Sequence, residues 1–271
     1  MASRILVAVI GIPMILAVLL LCPSICMAVV IGLLSAIGAY ELMGATHFLD
    51  NKALLAASCV LAGATPLWFY LGCSTVAGMA GLLIFLIFVF SVAFASHETV
   101  TLGHIGGTIV SGAVIPAMLS AMLLLADLEH YRYYILLPVI SAFCSDGAAL
   151  FVGMKFGKRK LAPVLSPHKT VEGSIGGVLG SVLCCLLYGI LIRVGTGVMP
   201  HLGVFLLYGA LGSVVSQFGD LTFSYMKREF GMKDYGRLFL AHGGVLDRFD
   251  SVIFCAPLTV VMVQLLPFFE F

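Results

Sequence analysis

Charge is what this chain has least of. Asp, Glu, Lys and Arg make up 10% of its 271 residues, while 61% are hydrophobic; an ordinary soluble domain carries about 25% charged residues. So few charges cannot cover a water-exposed surface, which excludes a free-standing soluble domain and makes lipid the main solvent. The formal net charge is only +1, so the total balance points to no partner class, and no nucleic-acid partner is expected. Metal-type cysteine spacing is missing as well. Cys22, Cys26, Cys59, Cys73, Cys144, Cys184, Cys185 and Cys255 form no C-x-x-C pair and no His-partnered spacing. Most lie inside apolar runs, where free Cys behaves as a small hydrophobe, so neither zinc nor structural disulfides are expected. The alternation of apolar and polar residues that a membrane barrel needs is absent too.

What is present is a series of apolar runs near 5–22, 24–44, 53–72, 74–96, 108–126, 133–152, 174–194, 202–223 and 245–268. Each approaches the roughly 20 residues needed to cross the hydrocarbon core. Pro13, Pro66, Pro116 and Pro138 fall inside them and are tolerated where neighbouring helices re-satisfy the backbone. The predicted fold is therefore an all-α polytopic membrane protein of about nine transmembrane helices. The first run, behind Arg4, is read as a retained helix rather than a cleaved signal: apolar sequence resumes directly after Pro23, and no small residue precedes Cys22 as a lipoprotein site requires. The chain divides into an N-terminal transmembrane region, 1–132, with about five helices, and a C-terminal transmembrane region, 133–271, that carries the residues suited to chemistry.

Two connections, 153–173 and 224–244, are long and charged. Lys155, Lys158, Arg159, Lys160 and Lys169 lie in the first; Lys227, Arg228, Lys233 and Arg237 lie in the second, with Arg248 beside it. These are ten of the fourteen Lys and Arg residues. Two helices separate the loops, so both are expected on one side, and the excess of positive charge makes that side cytoplasmic. Counting back through the helices puts the N-terminus inside as well, and the C-terminus outside.

Acids inside apolar runs are functional candidates by default. Here they are Glu41, Asp146, Asp220, Asp247 and Asp250. On a helical period Ser213, Gln217, Asp220, Ser224 and Lys227 share one stripe, which serves either a site or an interhelical hydrogen-bonding face. The segment His242-Gly243-Gly244-Val245-Leu246-Asp247-Arg248-Phe249-Asp250-Ser251 places two glycines before a helix start, where exposed N–H groups suit an anion. Asp247 and Asp250 are three apart and can face one point, with Arg248 available to a phosphate. Carboxylates gathered beside cations suggest Mg²⁺ holding a polyphosphate; a helix cap with a surface ion pair uses the same spacing. Ser166-Pro167-His168-Lys169-Thr170-Val171-Glu172-Gly173 joins a phosphate-suited lysine, a hydroxyl and an acid, yet also describes a capped helix start. Gly173-x-x-Gly176-Gly177 lacks a Walker signature and reads as a close helix-packing face.

Taken together, Ser224-x-x-Lys227-Arg228, Lys233-Asp234 and His242-Gly243-Gly244-x-x-Asp247-Arg248-x-Asp250 resemble the phosphatidate cytidylyltransferases, also called CDP-diacylglycerol synthases. The match spans 27 residues and mixes several residue types at fixed spacing. Ser145-Asp146, Gly153-x-Lys155-Phe156-Gly157-Lys158, Leu161-Ala162-Pro163, Ser166-Pro167-x-Lys169-Thr170-x-Glu172-Gly173 and Ser216-Gln217-x-Gly219-Asp220 also resemble the family, so the likeness covers about 141–255. Departures occur at Leu240-Ala241, where the family carries Pro-Gly; at Gly147 and Leu150, where it carries a hydroxyl and a phenol; and at Val171, where it carries Trp.

The resemblance implies a nucleotidyl transfer in phospholipid biosynthesis: CTP and phosphatidate give CDP-diacylglycerol and pyrophosphate. It further implies dependence on a divalent metal, usually Mg²⁺, with room for a second cation. Asp220, Asp247 and Asp250 are the expected metal ligands, and with Lys227 and Arg228 the expected catalytic set. Asp146, Ser166, Lys169, Thr170, Glu172, Ser216, Gln217, Ser224, Lys233, Asp234, His242, Gly243, Gly244 and Arg248 are the expected substrate contacts. CTP, phosphatidate and membrane lipids are the implied partners; glycine-rich helix faces allow a homodimer. The expected location is a bacterial cytoplasmic membrane, with the site facing the cytosol. Two other readings remain open: a cation-coupled membrane transporter using Glu41, Asp146 and Asp220 as a relay, or another CTP-dependent lipid or polyprenol kinase. A CDP-alcohol phosphotransferase is disfavoured, because Asp146-Gly147-Ala148-Ala149 lacks that family's arginine and downstream acids.

Overall fold

The computed structural model describes residues 2–45, 51–128, 130–196, 200–236 and 243–268. Helices dominate them: α1 (Ala2–Leu21), α2 (Ser24–Ala45), α3 (Lys52–Tyr70), α4 (Thr75–Ala95), α5 (Leu102–Ile109), α6 (Ile115–Ala126), α7 (Tyr131–Tyr134), α8 (Leu137–Phe156), α9 (Val171–Thr196), α10 (Leu202–Glu229) and α11 (Leu246–Leu265). A π turn, Val110–Val114, joins α5 to α6 in one rod. Among the described residues, seven stretches are long and apolar enough to cross a bilayer: Ser24–Ala45, Lys52–Tyr70, Thr75–Ala95, Leu102–Ala126, Tyr131–Phe156, Val171–Thr196 and Leu202–Glu229. The protein is a polytopic integral membrane protein. The first and last predicted runs are also helical, as the 20-residue α1 and α11.

Three differences from the hydropathy reading have clear causes. The helix expected at 108–126 begins at Leu102, because the Thr101 N–H is capped by His104 Nδ1 at 3.1 Å. α10 runs past the apolar stretch to Glu229, with Lys227 and Arg228 in its last turn, where cations favour the negative end of the helix dipole. The expected loop 153–173 contains a short antiparallel hairpin, β1 (Lys160–Ala162) and β2 (Ser166–Thr170), with Lys160 opposite Thr170 and Ala162 opposite Ser166. Pairing gives this rim segment partners for backbone groups that a bare loop would leave to solvent.

The chain packs as two compact units. The first comprises Met1–Leu124 and Phe230–Arg248, with a core of Met43, Leu54, Phe85, Val89, Ala93, Val100 and Ile105. Here α2 and α3 touch backbone to backbone: a Cβ on Gly32 would stand 2.8 Å from the Gly63 carbonyl oxygen. Ser58 Oγ donates to the Thr108 carbonyl at 3.1 Å and lies 3.0 Å from Ser111 Oγ, tying α3 to the π turn.

The second unit comprises Leu125–Glu229 and Phe249–Phe271. Its α9 lays the predicted glycine face on α8: a Cβ would meet the Ala149 carbonyl oxygen at 2.8 Å from Gly173, and the Ser145 carbonyl oxygen at 3.0 Å from Gly177. Those glycines are thus engaged inside the chain, in the close packing that small residues allow between membrane helices. One end of the unit is closed by Tyr134, Phe205, Tyr208 and Phe268. Phe268 packs at ring-centroid distances of 4.5 Å from Tyr134 and 4.6 Å from Phe205. The other end, where α8 and α10 finish and α9 begins, carries the charged residues.

Candidate functional site

Five predicted acids sort into two kinds by what they touch. In the second unit, Asp146 and Asp220 accept from hydroxyls, and Asp146, Asp220 and Asp250 each have a lysine in reach. Asp220, on α10, forms an ion pair with Lys169 of β2 and accepts a hydrogen bond from Ser224 Oγ, one turn on, at 3.3 Å. Asp146, mid-way along α8, accepts from Ser251 Oγ at 3.1 Å. Asp250 Oδ1 accepts the Ser251 N–H at 2.8 Å. The approach of α11 to α10 is possible because residue 219 is glycine: a Cβ there would stand 2.8 Å from the Asp250 carbonyl oxygen. The three carboxylates lie within electrostatic reach of one another, with Lys169 in reach of Asp146 and Lys227 in reach of Asp250.

Around this cluster the rim is held by backbone contacts. Arg228 Nε donates to the Leu165 carbonyl at 3.2 Å, tying the end of α10 to the hairpin turn. Thr170 Oγ1 accepts the Gly173 N–H at 3.1 Å, so this hydroxyl caps α9, as the capped-start reading of the motif requires. Glu172 Oε2 accepts the Lys158 and Arg159 N–H groups at 3.0 and 3.2 Å. Ser166 lies on β2 opposite Ala162. Deeper along the α10 stripe, Ser213 Oγ is 2.7 Å from Ser145 Oγ. Gln217 Nε2 donates to Ser213 Oγ at 3.0 Å and to the Ser174 carbonyl at 3.1 Å, and its Oε1 accepts from Ser174 Oγ. The stripe is therefore an interhelical seam from Ser213 to Gln217 that gives way to charged residues from Asp220 to Lys227. Ser216 is fully buried beside the seam.

In the first unit the acids serve the backbone instead. Asp247 Oδ2 accepts the Tyr235 and Gly244 N–H groups, each at 2.9 Å. Gly243 sits at φ +80°, a left-handed conformation that glycine adopts without steric cost. At this helix start the protein supplies an anion of its own. Glu41, from α2, accepts the Val245 N–H at 3.0 Å and the Leu246 N–H at 3.1 Å. Lys233, Asp234 and Arg248 are exposed. His242, Arg237 and the Leu240-Ala241 departure lie outside the described residues. Two sets of contacts are not legible in the sequence. Glu41 stood out only as an acid in an apolar run, with nothing to link it to a loop about 200 residues on; Ser251, beside Asp250, serves two acids through its hydroxyl and its N–H.

Among the described residues, no three His, Cys, Asp or Glu side chains converge as a ready-made metal cage. Mg²⁺ does not require one, since it binds through one or two carboxylates plus substrate phosphates and retains water. The hard oxygen donors of Asp146, Asp220 and Asp250 fit that chemistry, and Asp220 already holds a cation, the Lys169 ammonium.

The fold and the site define a polytopic helical membrane protein with acids, lysines and an arginine assembled at one end of its second unit. The match of residues 2–266 to the model of the cytidylyltransferase family makes the assignment specific: this chain belongs to that family. It is similar to proteins named phosphatidate cytidylyltransferase from three bacteria. With that of Staphylococcus aureus (strain COL) it is 41% identical over 133 residues, covering 49% of this chain and 50% of that one. With those of Staphylococcus epidermidis (strain ATCC 12228) and Thermotoga maritima it is 39% and 37% identical over 132 residues, covering 48% of this chain and 49% of each relative. The matched region spans about half the length of these curated relatives.

Proposed function

We propose that this protein is a phosphatidate cytidylyltransferase, joining CTP and phosphatidate into CDP-diacylglycerol with release of pyrophosphate, at a site facing the cytosol of a bacterial cytoplasmic membrane. The observation that carries the reading is the cluster of Asp146, Asp220 and Asp250 with Lys169 and Lys227 at one end of four apolar helices. The charged loops would lie on the cytosolic side of about nine spans, in keeping with the excess of Lys and Arg there. Such a site lets the acyl chains stay in the bilayer while the headgroup meets a nucleotide from water.

Both substrates are anions, so the first task is to offset their repulsion. Lys169, Lys227 and Arg228 are suited to hold phosphates, as point charges or, for Arg228, as a planar fork. Asp220 and Asp250, with Asp146 behind them, would hold Mg²⁺, which supplies charge neutralisation on the triphosphate. Asp247 is proposed as a further ligand from the family pattern, and a second cation fits the number of acids. Lys233, Asp234, His242, Gly243, Gly244 and Arg248 carry substrate-binding roles by the same pattern, as do Ser166, Thr170, Glu172, Ser216 and Ser224. The phosphatidate phosphate attacks the α-phosphorus and pyrophosphate leaves. No general base is needed, because a phosphate monoester is already an anionic nucleophile at neutral pH. Positioning and charge stabilisation then supply the rate. A homodimer is compatible with this scheme and is not required by it.

The test supplies radiolabelled CTP, phosphatidate and Mg²⁺ to the purified protein and separates lipid-linked from free label. Formation of CDP-lipid with stoichiometric pyrophosphate supports the reading; a phosphorylated lipid with free CDP would instead indicate a kinase.

A further inference from the structure

We infer that Glu41, on α2, is a positioning residue for the cytidylyl transfer, acting through the start of α11; this inference rests on the function proposed above. The carboxylate occupies a fitted socket. Its two oxygens take the N–H groups of Val245 and Leu246, one each, at 3.0 and 3.1 Å. Two glycines wall it in: a Cβ on Gly236 would stand 2.8 Å from Glu41 Cδ, and a Cβ on Gly244 would collide with the same carboxyl group. Glu41 itself is 7% exposed. The Gly38 face of the same helix packs on Leu246, whose Cδ2 would lie 3.0 Å from an added Cβ.

This geometry decides between two uses of a membrane-embedded acid. A relay for ions or protons needs an acid near mid-membrane with access to water. Glu41 stands four residues before the end of α2, about 6 Å along the axis at ~1.5 Å per residue, and both its oxygens are committed to backbone donors. What those donors share is the entry to α11. The next residues are Asp247 and Arg248, and Asp247 accepts the Tyr235 and Gly244 N–H groups. Two acids thus hold the start of α11: Glu41 takes the Val245 and Leu246 N–H groups, and Asp247, itself a proposed metal ligand, takes those of Gly244 and Tyr235. A helix whose start is held at two consecutive N–H groups has its roll fixed, and with it the direction of every side chain in its first turn.

Glu41→Gln retains size and one acceptor, but presents an NH₂ to the second backbone N–H. Gly244→Ala leaves Glu41 intact and pushes its carboxylate out of the socket. Both variants are compared with wild type in lipid nanodiscs, reading kcat, KM for CTP, the Mg²⁺ concentration for half-maximal rate, and backbone hydrogen exchange at Val245 and Leu246. Supporting groups behind a metal or catalytic side chain typically change affinity or activity by about 10–100-fold. The expected result is a kcat decrease in that range for each variant, with a raised Mg²⁺ requirement, faster exchange at the two amides and little change in KM for phosphatidate. The double variant should lose little more than either single one, because both disturb one contact. Unchanged kcat and Mg²⁺ requirement per folded molecule, beside an active wild type, would overturn the inference. A wild type that forms no CDP-lipid would instead remove the functional reading, and this inference with it.

Discussion

Chemical likeness among residues hides a division of labour. Asp220 and Asp247 are equivalent on paper, yet one meets an ammonium group and the other two backbone N–H groups. The two settings are tested by different variants. Asp220→Asn removes the charge that faces Lys169 and the proposed metal, and turnover should fall about 100-fold or more while the thermal midpoint moves little; assaying CDP-lipid per folded molecule checks this. Gly243→Ala acts on the fold. It forces a non-glycine residue to φ +80° and brings a Cβ within 2.8 Å of Asp247 Oδ2. A cost of roughly 1–2 kcal/mol for the left-handed conformation should appear as a lower midpoint in detergent. Much of this scale is legible in the sequence: the acids, lysines and glycines stand out by type and spacing. What each one touches is not. Glu41 and its two N–H partners are joined only by tertiary structure, and no local pattern marks an acid on α2 as the anion for a helix start in the C-terminal half.

Individual elements were easier to find than to bound. Every apolar run became a helix, because in lipid the backbone must satisfy itself internally. The ends were misjudged where helix and hydrophobicity part company. α10 continues through Ser224, Lys227 and Arg228. At 28 residues it is roughly 42 Å long at ~1.5 Å per residue, against a hydrocarbon core of about 30 Å, so a polar portion must stand beyond the apolar layer. Hydropathy sees the layer and stops at its edge. The hairpin between α8 and α9 was missed for a related reason: three-residue and five-residue strands leave no periodic signal in so short a stretch. The seam beneath the site gives an element-scale test. Gln217→Leu deletes the amide that links α10 to Ser174 of α9. Interhelical polar contacts in membranes contribute about 0.6 kcal/mol each on average, so a modest fall in the thermal midpoint with near-normal turnover is expected. A raised KM for CTP with unchanged stability would assign Gln217 to the substrate instead.

For the molecule as a whole, composition was the strongest guide. A chain with so few charges reads as a membrane protein, and the gathering of its cations into two segments leads to the proposal of a cytosolic chemical face. The proposed orientation can be measured directly: a cysteine replacing Lys158, in a background lacking the native thiols, should react with an impermeant maleimide from the cytosolic side only. The central claim is the reaction. Purified protein in lipid vesicles is given labelled CTP, phosphatidate and Mg²⁺, alongside Asp220→Asn and Asp247→Ala variants, and CDP-diacylglycerol and pyrophosphate are quantified together. Equal amounts of the two products from wild type, abolished by chelation and strongly reduced in both variants, are the expected result. No CDP-lipid from folded wild type, or undiminished product from both variants, would contradict it.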